Sequence, residues 1–203
     1  MRRVIKRFAS AAAWVVAAPL AYVVRWVAPW DSGDELFRGG SQVASLLPGP
    51  VGILVRRHYY RIALNTPAQD VTVEFGTIFS CRGTNIGRNV YIGAYCTIGL
   101  CHLHDDVLLG SCVDVVSGKQ VHFFDRTDIP IRKQGGQRLK LDIGPDAWVG
   151  NKAVLMASVG RGTVVGAGSI VTADCGEMGV YVGNPARRLK SREAGSLESS
   201  SEA

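Results

Sequence analysis

The chain has 203 residues, of which 47% are apolar and 20% charged, and its formal net charge at pH 7 is +6. This length suffices for one domain with appendages, and the apolar fraction excludes general disorder. The basic residues are spread along the chain without a recognised nucleic-acid-reading motif, so we expect no nucleic-acid partner. The five cysteines form neither an even set nor a CxxC pair, which favours reduced thiols and a cytosolic setting.

Residues 1–30 are predicted to form an apolar, membrane-associating helix. Basic residues near the start precede an apolar run over residues 8–24, and Trp26 and Trp30 follow it. The run is shorter than the ~20 residues of a spanning helix, and Pro19 interrupts it. We expect the helix to lie in or dip into a membrane surface with its tryptophans at the interface. A cleaved secretory signal and burial within the protein's own assembly are the alternatives.

Residues 31–70 are predicted to form a helical cap or linker. Segments 34–47 and 51–64 favour two short helices around Pro48-Gly49-Pro50. Three arginines give the second helix a basic side. We expect this pair to cover one end of the repeat that follows, since an open end would expose edge strands.

Beyond these helices, aliphatic residues recur at every sixth position and are usually followed by glycine. This period fits neither a lone helix nor an alternating hairpin, because their periods are near 3.6 and 2. If each hexad makes one short strand and one corner, three hexads close a triangular coil, with the first position pointing to the axis and a small fifth position also inward. The first-position residues are Ile86, Ile92, Ile98, Leu103, Leu109, Val115, Ile143, Val149, Leu155, Val159, Val165 and Val171. The fifth-position residues are Val90, Cys96, Val107, Val113, Ala147, Ala153, Thr163 and Ser169.

Two contractions interrupt this spacing. One residue is missing between Ile98 and Leu103, and two are missing between Leu155 and Val159. We expect each contraction to tighten a corner without breaking the stack.

The repeat in segments 86–110 and 143–171 resembles that of the hexapeptide-repeat acyltransferases. The resemblance implies an all-β fold, a left-handed parallel β-helix, and the handedness rests on the resemblance alone. We therefore expect a hexapeptide-repeat solenoid over residues 71–191, with N-terminal helical segments and a long catalytic loop, and a disordered tail over residues 192–203. The resemblance also implies a homotrimer in which neighbouring chains share the walls of each active site.

The repeat disappears between its two blocks, and we expect this loop, residues 116–142, to hold the active site. A long excursion rich in apolar and aromatic residues is usually functional. His122 is the loop's one histidine, and its segment resembles the catalytic loop of sugar and polysaccharide O-acetyltransferases. The resemblance implies that His122 is the general base. The alternative is a histidine that packs on Phe123 and Phe124.

A base that acts through one ring nitrogen needs an acceptor at the other nitrogen. Asp125, Asp128 or a backbone carbonyl could supply it, and the choice stays open. Acceptor specificity would lie in the same loop, where we expect Phe123, Arg132 and Gln134 to contact the substrate.

The resemblance implies acetyl-CoA as cosubstrate, bound along the late coils. Small residues there would line the pantetheine channel, and basic residues beyond them would meet the phosphates. The residues that match the family's pattern are Gly150, Asn151, Ala167, Thr172, Arg187 and Lys190. This chain has Ala173 where many relatives have lysine.

His104 lies three hexads before His122, so on an unbroken helix both would stack on one face. Histidines from neighbouring coils bind zinc in the gamma-class carbonic anhydrases, which resemble this chain in fold. The three-histidine spacing of that class is missing here, and catalytic zinc commonly takes three protein ligands. We expect no metal.

The sequence therefore predicts an acyltransferase enzyme, an acetyl-CoA-dependent O-acetyltransferase of polysaccharide biosynthesis. It would acetylate a sugar hydroxyl of a glycan or lipid-linked saccharide. Because acetyl-CoA is a cytosolic donor, we expect the chain to be cytoplasmic and associated with the inner face of the plasma membrane. The alternatives are a gamma-carbonic-anhydrase-like zinc enzyme, an N-acetyltransferase acting on an amino sugar, and a non-catalytic scaffold.

Overall fold

The computed structural model describes residues 2–27, 29–31, 34–64 and 70–192, with side chains from Ser10 onwards. Residues 193–203 of the predicted tail lie outside the described residues. Helices α1 (Arg2–Val27), α2 (Glu35–Ser45) and α3 (Gly49–Ala63) precede the strands. The strands are β1 (Thr72–Val73), β2 (Ile78–Phe79), β3 (Asn85–Ile86), β4 (Tyr91–Ile92), β5 (Thr97–Ile98), β6 (Cys101–Leu103), β7 (Leu108–Leu109), β8 (Asp114–Val115), β9 (Leu141–Ile143), β10 (Trp148–Val149), β11 (Val154–Leu155), β12 (Val164–Val165), β13 (Ile170–Val171), β14 (Gly179–Val182) and β15 (Arg187–Ser191).

The described strands form three sheets that the chain visits in turn. The first sheet has the order β1-β4-β7-β10-β12-β14-β15, the second β2-β5-β8-β11-β13, and the third β3-β6-β9. Neighbours pair in parallel, except that β15 returns antiparallel to β14. The strands thus stack as the rungs of a three-sided coil, which confirms the predicted parallel solenoid architecture.

The inward residues of the coil are the predicted ones. Every predicted first-position aliphatic residue and every predicted fifth-position residue is buried. In the two-residue strands one side chain points outwards and the next is buried, as in β5, where Thr97 is exposed and Ile98 buried. The buried series also extends upstream to Val73 and Phe79. The coil therefore starts upstream of the first block of hexads, within the predicted bounds of residues 71–191.

The corners use residues that tolerate left-handed backbone. Asn89, Asp106 and Asp146 have φ values of 56°, 62° and 57°. Asparagine and aspartate adopt this conformation more readily than other side chains with a Cβ. The contracted corners also stay in the stack, since β6 pairs with β9 and Val159 bridges Ile143 on one side and Cys175 on the other.

Helices α2 and α3 are fastened to the first coil by a buried arginine. The Arg56 guanidinium donates hydrogen bonds to the carbonyl oxygens of Val73 (2.8 Å), Ala44 (3.2 Å) and Leu47 (2.6 Å). Burial lowers the pKa of this group, and its Nη2 atom has no hydrogen-bond partner among the described residues. One side chain thus joins the end of α2, helix α3 and strand β1.

Helix α1 is apolar on both sides. Its small buried residues, Ala13, Ala17, Ala21 and Val24, form an inner stripe in the core that α1 shares with α3. Stretch Ser10–Val27 is long and apolar enough to cross a membrane, with a mean hydropathy of 1.4, and 28% of it is buried. Core helices and signal sequences share these properties. The exposed large apolar residues of α1 are Trp14, Val15, Val16, Tyr22, Val23 and Trp26.

Replacing one inward aliphatic residue should destabilise the coil. Ile98→Ala removes a fully buried side chain, so we expect the free energy of unfolding to fall by about 2–5 kcal/mol, because the stacked rungs cannot close the cavity. Thr97→Ala changes the exposed neighbour and should stay within about 0.5 kcal/mol of the parent. Urea unfolding of both variants checks this, and equal losses would contradict the inward assignment.

Candidate active site

The loop between β8 and β9 is an ordered arm, residues 116–140, with two antiparallel legs. Backbone N–H groups of one leg donate to carbonyls of the other, from Leu139 to Ser117 (2.8 Å) and from Gln137 to Gln120 (2.7 Å). Nearer the tip, the Phe123 N–H donates to the Gly135 carbonyl (3.0 Å). The arm leaves the second sheet and returns to the third sheet, so its base is fixed by two rungs of the coil.

The tip of the arm is closed by Gln134. Its side-chain nitrogen donates to the carbonyls of Arg126 (2.6 Å) and Ile129 (3.1 Å), and its oxygen accepts from the Arg126 N–H (3.0 Å). Asp128 forms an ion pair with the Arg126 side chain. The amide of Gln134, predicted to contact substrate, is therefore engaged within the arm. Phe123 and Arg132, predicted with it, also lie on the arm, where Arg132 is exposed.

His122 stands on the arm beside the second sheet, where it lines a cleft of 340 Å³. The floor of the cleft is formed by Thr97, Asp114 and Val154, the outward residues of three neighbouring strands. Arg138, on the other leg of the arm, also lines the cleft. The remaining lining residues are Ser80, Cys81, Gly99, Val115, Val116, Ser117 and Val121.

The His122 side chain is exposed, and among the described residues none forms a hydrogen bond with its ring. Asp128 pairs with Arg126 instead, so in this structure neither Asp125 nor Asp128 holds the imidazole. Phe124 is 67% exposed and does not cover the ring in an apolar cluster. The imidazole is therefore open to a molecule that enters the cleft.

Sequence reasoning missed the polar groups that share this cleft with His122. Asp114 occupies the outward position of the last strand before the arm, and Arg138 lies two residues before the arm ends. A carboxylate at an outward strand position is the signal that could have identified Asp114. Arg138 carries no such signal, because its place depends on the pairing of the two legs.

The predicted donor-site residues lie at the late coils in two groups. Gly150, Asn151 and Ala167 meet at one corner, where the Gly168 N–H donates to the Asn151 carbonyl (2.9 Å). A Cβ on Gly150 would lie 2.5 Å from the Ala167 nitrogen, so only glycine fits there. The Asn151 side-chain oxygen accepts from the Ser111 N–H (2.9 Å) and thereby holds the corner.

The other donor-site residues surround the last rung. Thr172 follows β13 at the next corner, whereas Arg187 and Lys190 are exposed on β15. None of the six residues lines the His122 cleft of the same chain. One chain therefore does not bring the predicted base and the predicted donor site together.

His104 does not stack with His122, contrary to the expectation for an unbroken helix, because the arm carries His122 away from the coil. His104 instead stacks on His102, with ring centroids 3.7 Å apart, and its Nε2 lies 3.4 Å from an oxygen of Asp142. The register of β6 and β9 places Asp142 opposite His102.

The cysteines offer no evident nucleophile. Cys101 is fully buried, and burial raises the pKa of its thiol, so the reactive thiolate is disfavoured. Cys112 is exposed at a corner, and it does not line the His122 cleft. Cys81 lines the cleft but is buried, whereas the His122 side chain is exposed, so the chemistry of this site centres on the imidazole.

Comparison with known proteins gives relatives of one kind. The chain is 31% identical over 170 residues to a probable acetyltransferase of Mycobacterium tuberculosis, covering 66% of this chain and 57% of that protein. It is 33% identical over 134 residues to the galactoside O-acetyltransferase of Escherichia coli, covering 62% of this chain and 63% of that enzyme. The chain thus spans less than two thirds of either relative. No protein-family profile matches the chain.

Solved structures agree on the fold. A galactoside acetyltransferase in complex with coenzyme A superposes with a TM-score of 0.64 at 23% identity, over 79% of this chain and 81% of that one. At this identity the likeness concerns the fold alone. The six-residue repeat, the three-sided parallel coil and the relatives named as acetyltransferases all agree with the resemblance of this chain to the hexapeptide-repeat acyltransferases.

Proposed function

We propose that the protein is an acetyl-CoA-dependent O-acetyltransferase that acetylates a hydroxyl of a saccharide, with His122 as general base. The observation that carries this proposal is the open imidazole of His122 on an ordered arm, beside a cleft with polar groups. Relatives named as acetyltransferases, and a fold neighbour bound to coenzyme A, support the donor. We also propose the left-handed winding that the family implies.

The chemistry needs a single proton carrier. A ring nitrogen of His122 takes the proton of the acceptor hydroxyl as its oxygen attacks the thioester carbonyl. The new C–O bond forms, the C–S bond breaks, and the imidazolium returns the proton to the departing thiolate of coenzyme A. Histidine suits this exchange because its ordinary pKa lies near neutral pH. No covalent acyl-enzyme is needed.

The acceptor would bind in the cleft beside the arm. Asp114 and Thr97 present a carboxylate and a hydroxyl on the cleft floor, groups that hydrogen-bond sugar hydroxyls. Phe123 and Arg132 extend this surface along the arm. Gln134 shapes the tip through its hydrogen bonds and, in this proposal, contacts the substrate only indirectly.

We propose a homotrimer in which the donor site of one chain faces the arm of its neighbour. The predicted donor residues and the His122 cleft lie apart within one chain, as expected for a shared site. The outward residues of the first sheet support an interface, because Tyr91, Leu108 and Trp148 form a continuous apolar row, exposed by 39%, 43% and 52%. Contiguous exposed apolar surface of this kind marks protein contacts.

Removal of the His122 side chain should strongly lower the rate of acetyl transfer but leave the binding of acetyl-CoA intact. For His122→Ala we expect the rate of coenzyme A release, with a panel of glycosides and amino sugars, to fall by about 10² to 10⁴. The thermal shift with acetyl-CoA should persist, because binding needs no base. His58→Ala is the matched control, since it removes a histidine that lies between the helices. Near-normal turnover of His122→Ala would contradict the role, and faster acetylation of amino sugars than of hydroxyl acceptors would change the reaction class.

A charge in the apolar row of the first sheet should dissociate the assembly. Trp148→Lys places a cation in the proposed interface, where it would lose its hydration, so we expect monomers at micromolar concentration. Val43→Lys makes the same kind of change at an exposed apolar residue of α2 and should leave the trimer intact. Light scattering after size exclusion measures both masses. A monomeric parent chain, or a trimeric Trp148→Lys, would contradict the proposal.

We further propose that α1 lies along the cytoplasmic face of a membrane. Hydrogen bonds join α1 to α3 near both ends, between Ser10 and His58 (3.0 Å) and from Arg25 to the Ile62 carbonyl (3.2 Å). If α1 crossed the membrane while held in this way, it would carry the charged residues of α3 into the hydrocarbon core, and burying charges there costs free energy. Near the end of α1, Trp26 packs edge-to-face on Trp30, which follows the helix, and tryptophan suits the membrane interface.

Substitution of the outer tryptophans of α1 should release the protein from vesicles. With Trp14→Glu and Trp26→Glu combined, we expect co-sedimentation with vesicles of anionic phospholipid to be lost, because two carboxylates would enter the lipid interface. Phe124→Glu, at an exposed aromatic residue of the arm, is the control that should still bind. No binding by the parent chain, or unchanged binding by the double variant, would contradict the proposal.

A further inference from the structure

The outer face of the third sheet carries a cluster of two histidines and an aspartate. His102 lies on β6 and His104 directly follows that strand, and the stacking of their rings shows that both side chains point to the same side. Asp142 lies opposite His102 on the neighbouring strand β9. The three side chains are therefore brought together by strand geometry on a face other than the one that bears the His122 cleft.

The possible ligand atoms of this cluster are close to one another. The distance from His104 Nε2 to Asp142 Oδ1 is 3.4 Å, and from His102 Nδ1 to the same oxygen 3.7 Å. One ligand atom from each residue can be chosen so that all three lie within 4.8 Å of one another. Two ligands of a tetrahedral zinc ion, each 2.0–2.2 Å from the metal, are about 3.4 Å apart. Small side-chain rotations would therefore suffice to surround an ion.

The chemistry of the three groups suits a divalent transition metal. Imidazole and carboxylate are ligands of zinc and of its neighbours in the series. Imidazole binds a metal ion in its neutral form. Lys140 is the nearby cation, and its amine donates to Asn85 rather than to the cluster.

We propose that His102, His104 and Asp142 bind a zinc-class divalent cation, which clamps the return strand of the arm to the coil before it. The arm leaves after β8 and re-enters at β9, so Asp142 lies two residues beyond the arm. An ion shared by His102, His104 and Asp142 would join the coil to the strand that follows the arm, and because it binds the folded chain it would stabilise that state. We assign the ion a structural role, since the cluster lies on the third sheet and does not line the His122 cleft of the same chain. This inference does not depend on the proposed acetyl transfer.

The test uses the untagged full chain after treatment with a chelator. Titration calorimetry with Zn²⁺ should show one saturable site per chain, and the midpoint of thermal unfolding should rise with Zn²⁺. His102→Ala and Asp142→Asn should each weaken the affinity by at least about 10-fold, because each removes one of three ligands. Both residues are at least partly exposed, so the variants should keep the parent circular dichroism.

Two controls separate this site from other metal-binding groups. His58→Ala removes a histidine of helix α3, and Cys112→Ser removes an exposed thiol. Both variants should bind Zn²⁺ with the affinity of the parent chain. His104→Gln serves as a third ligand variant should either of the first two misfold. Absence of a saturable site, one ion per three chains, or unchanged affinity in folded ligand variants would overturn the proposal.

Discussion

The structure depends on the burial of two side chains in each hexad along the axis of a narrow coil. An aliphatic residue fills the end of each short strand, and a small residue two positions before it leaves room for the strand opposite. Interiors of proteins are packed to the density of organic crystals, so neither position tolerates much change in volume. The helices, the arm and the proposed sites are all positioned by this column of rungs. A buried arginine at one end and the antiparallel strand β15 at the other cover edges that would otherwise be open to pairing.

The hexad period encodes the inward positions directly, which is why the buried residues of both blocks could be predicted from the sequence. The first coil falls within the predicted bounds of the solenoid, residues 71–191, but its hexads were not identified one by one, because Ile86 follows Phe79 by seven positions rather than six. Which outward side chains lie next to one another was harder to predict than which positions of the repeat are buried. Asp142 lies beside His102 because β6 and β9 pair in a register that is set across the whole arm. The residues that share the cleft with His122 depend on how the two legs of the arm pair. Gln134 shows a further limit of sequence-based prediction. Its polar side chain was expected to form hydrogen bonds, but the sequence did not indicate that the partner would be the Arg126 carbonyl of the same arm.

The three outer faces differ in character although their strands share one repeat. The first presents the row with Tyr91, Leu108 and Trp148, the second forms the floor of the cleft, and the third presents the histidine and aspartate cluster. An apolar row, an exposed imidazole and a cluster of histidines and aspartate are thus separated by the corners of a single prism. Because of this separation, the proposed subunit contact, acyl transfer and arm anchoring each fall on a different face. It also explains why the net charge of the chain says little about any one of them.

Most strands of the coil are only two residues long, with one side chain inside and one outside. Each outer face therefore receives one outward residue from each coil, and neighbours on that face come from stacked strands rather than from adjacent positions in the chain. During evolution the outward residues of one face could be substituted, one in each coil, while the buried residues of the coil stay unchanged. Scaffolds of this kind can acquire new surfaces without passing through unstable intermediates, and a common fold among proteins with different acceptors is the expected result.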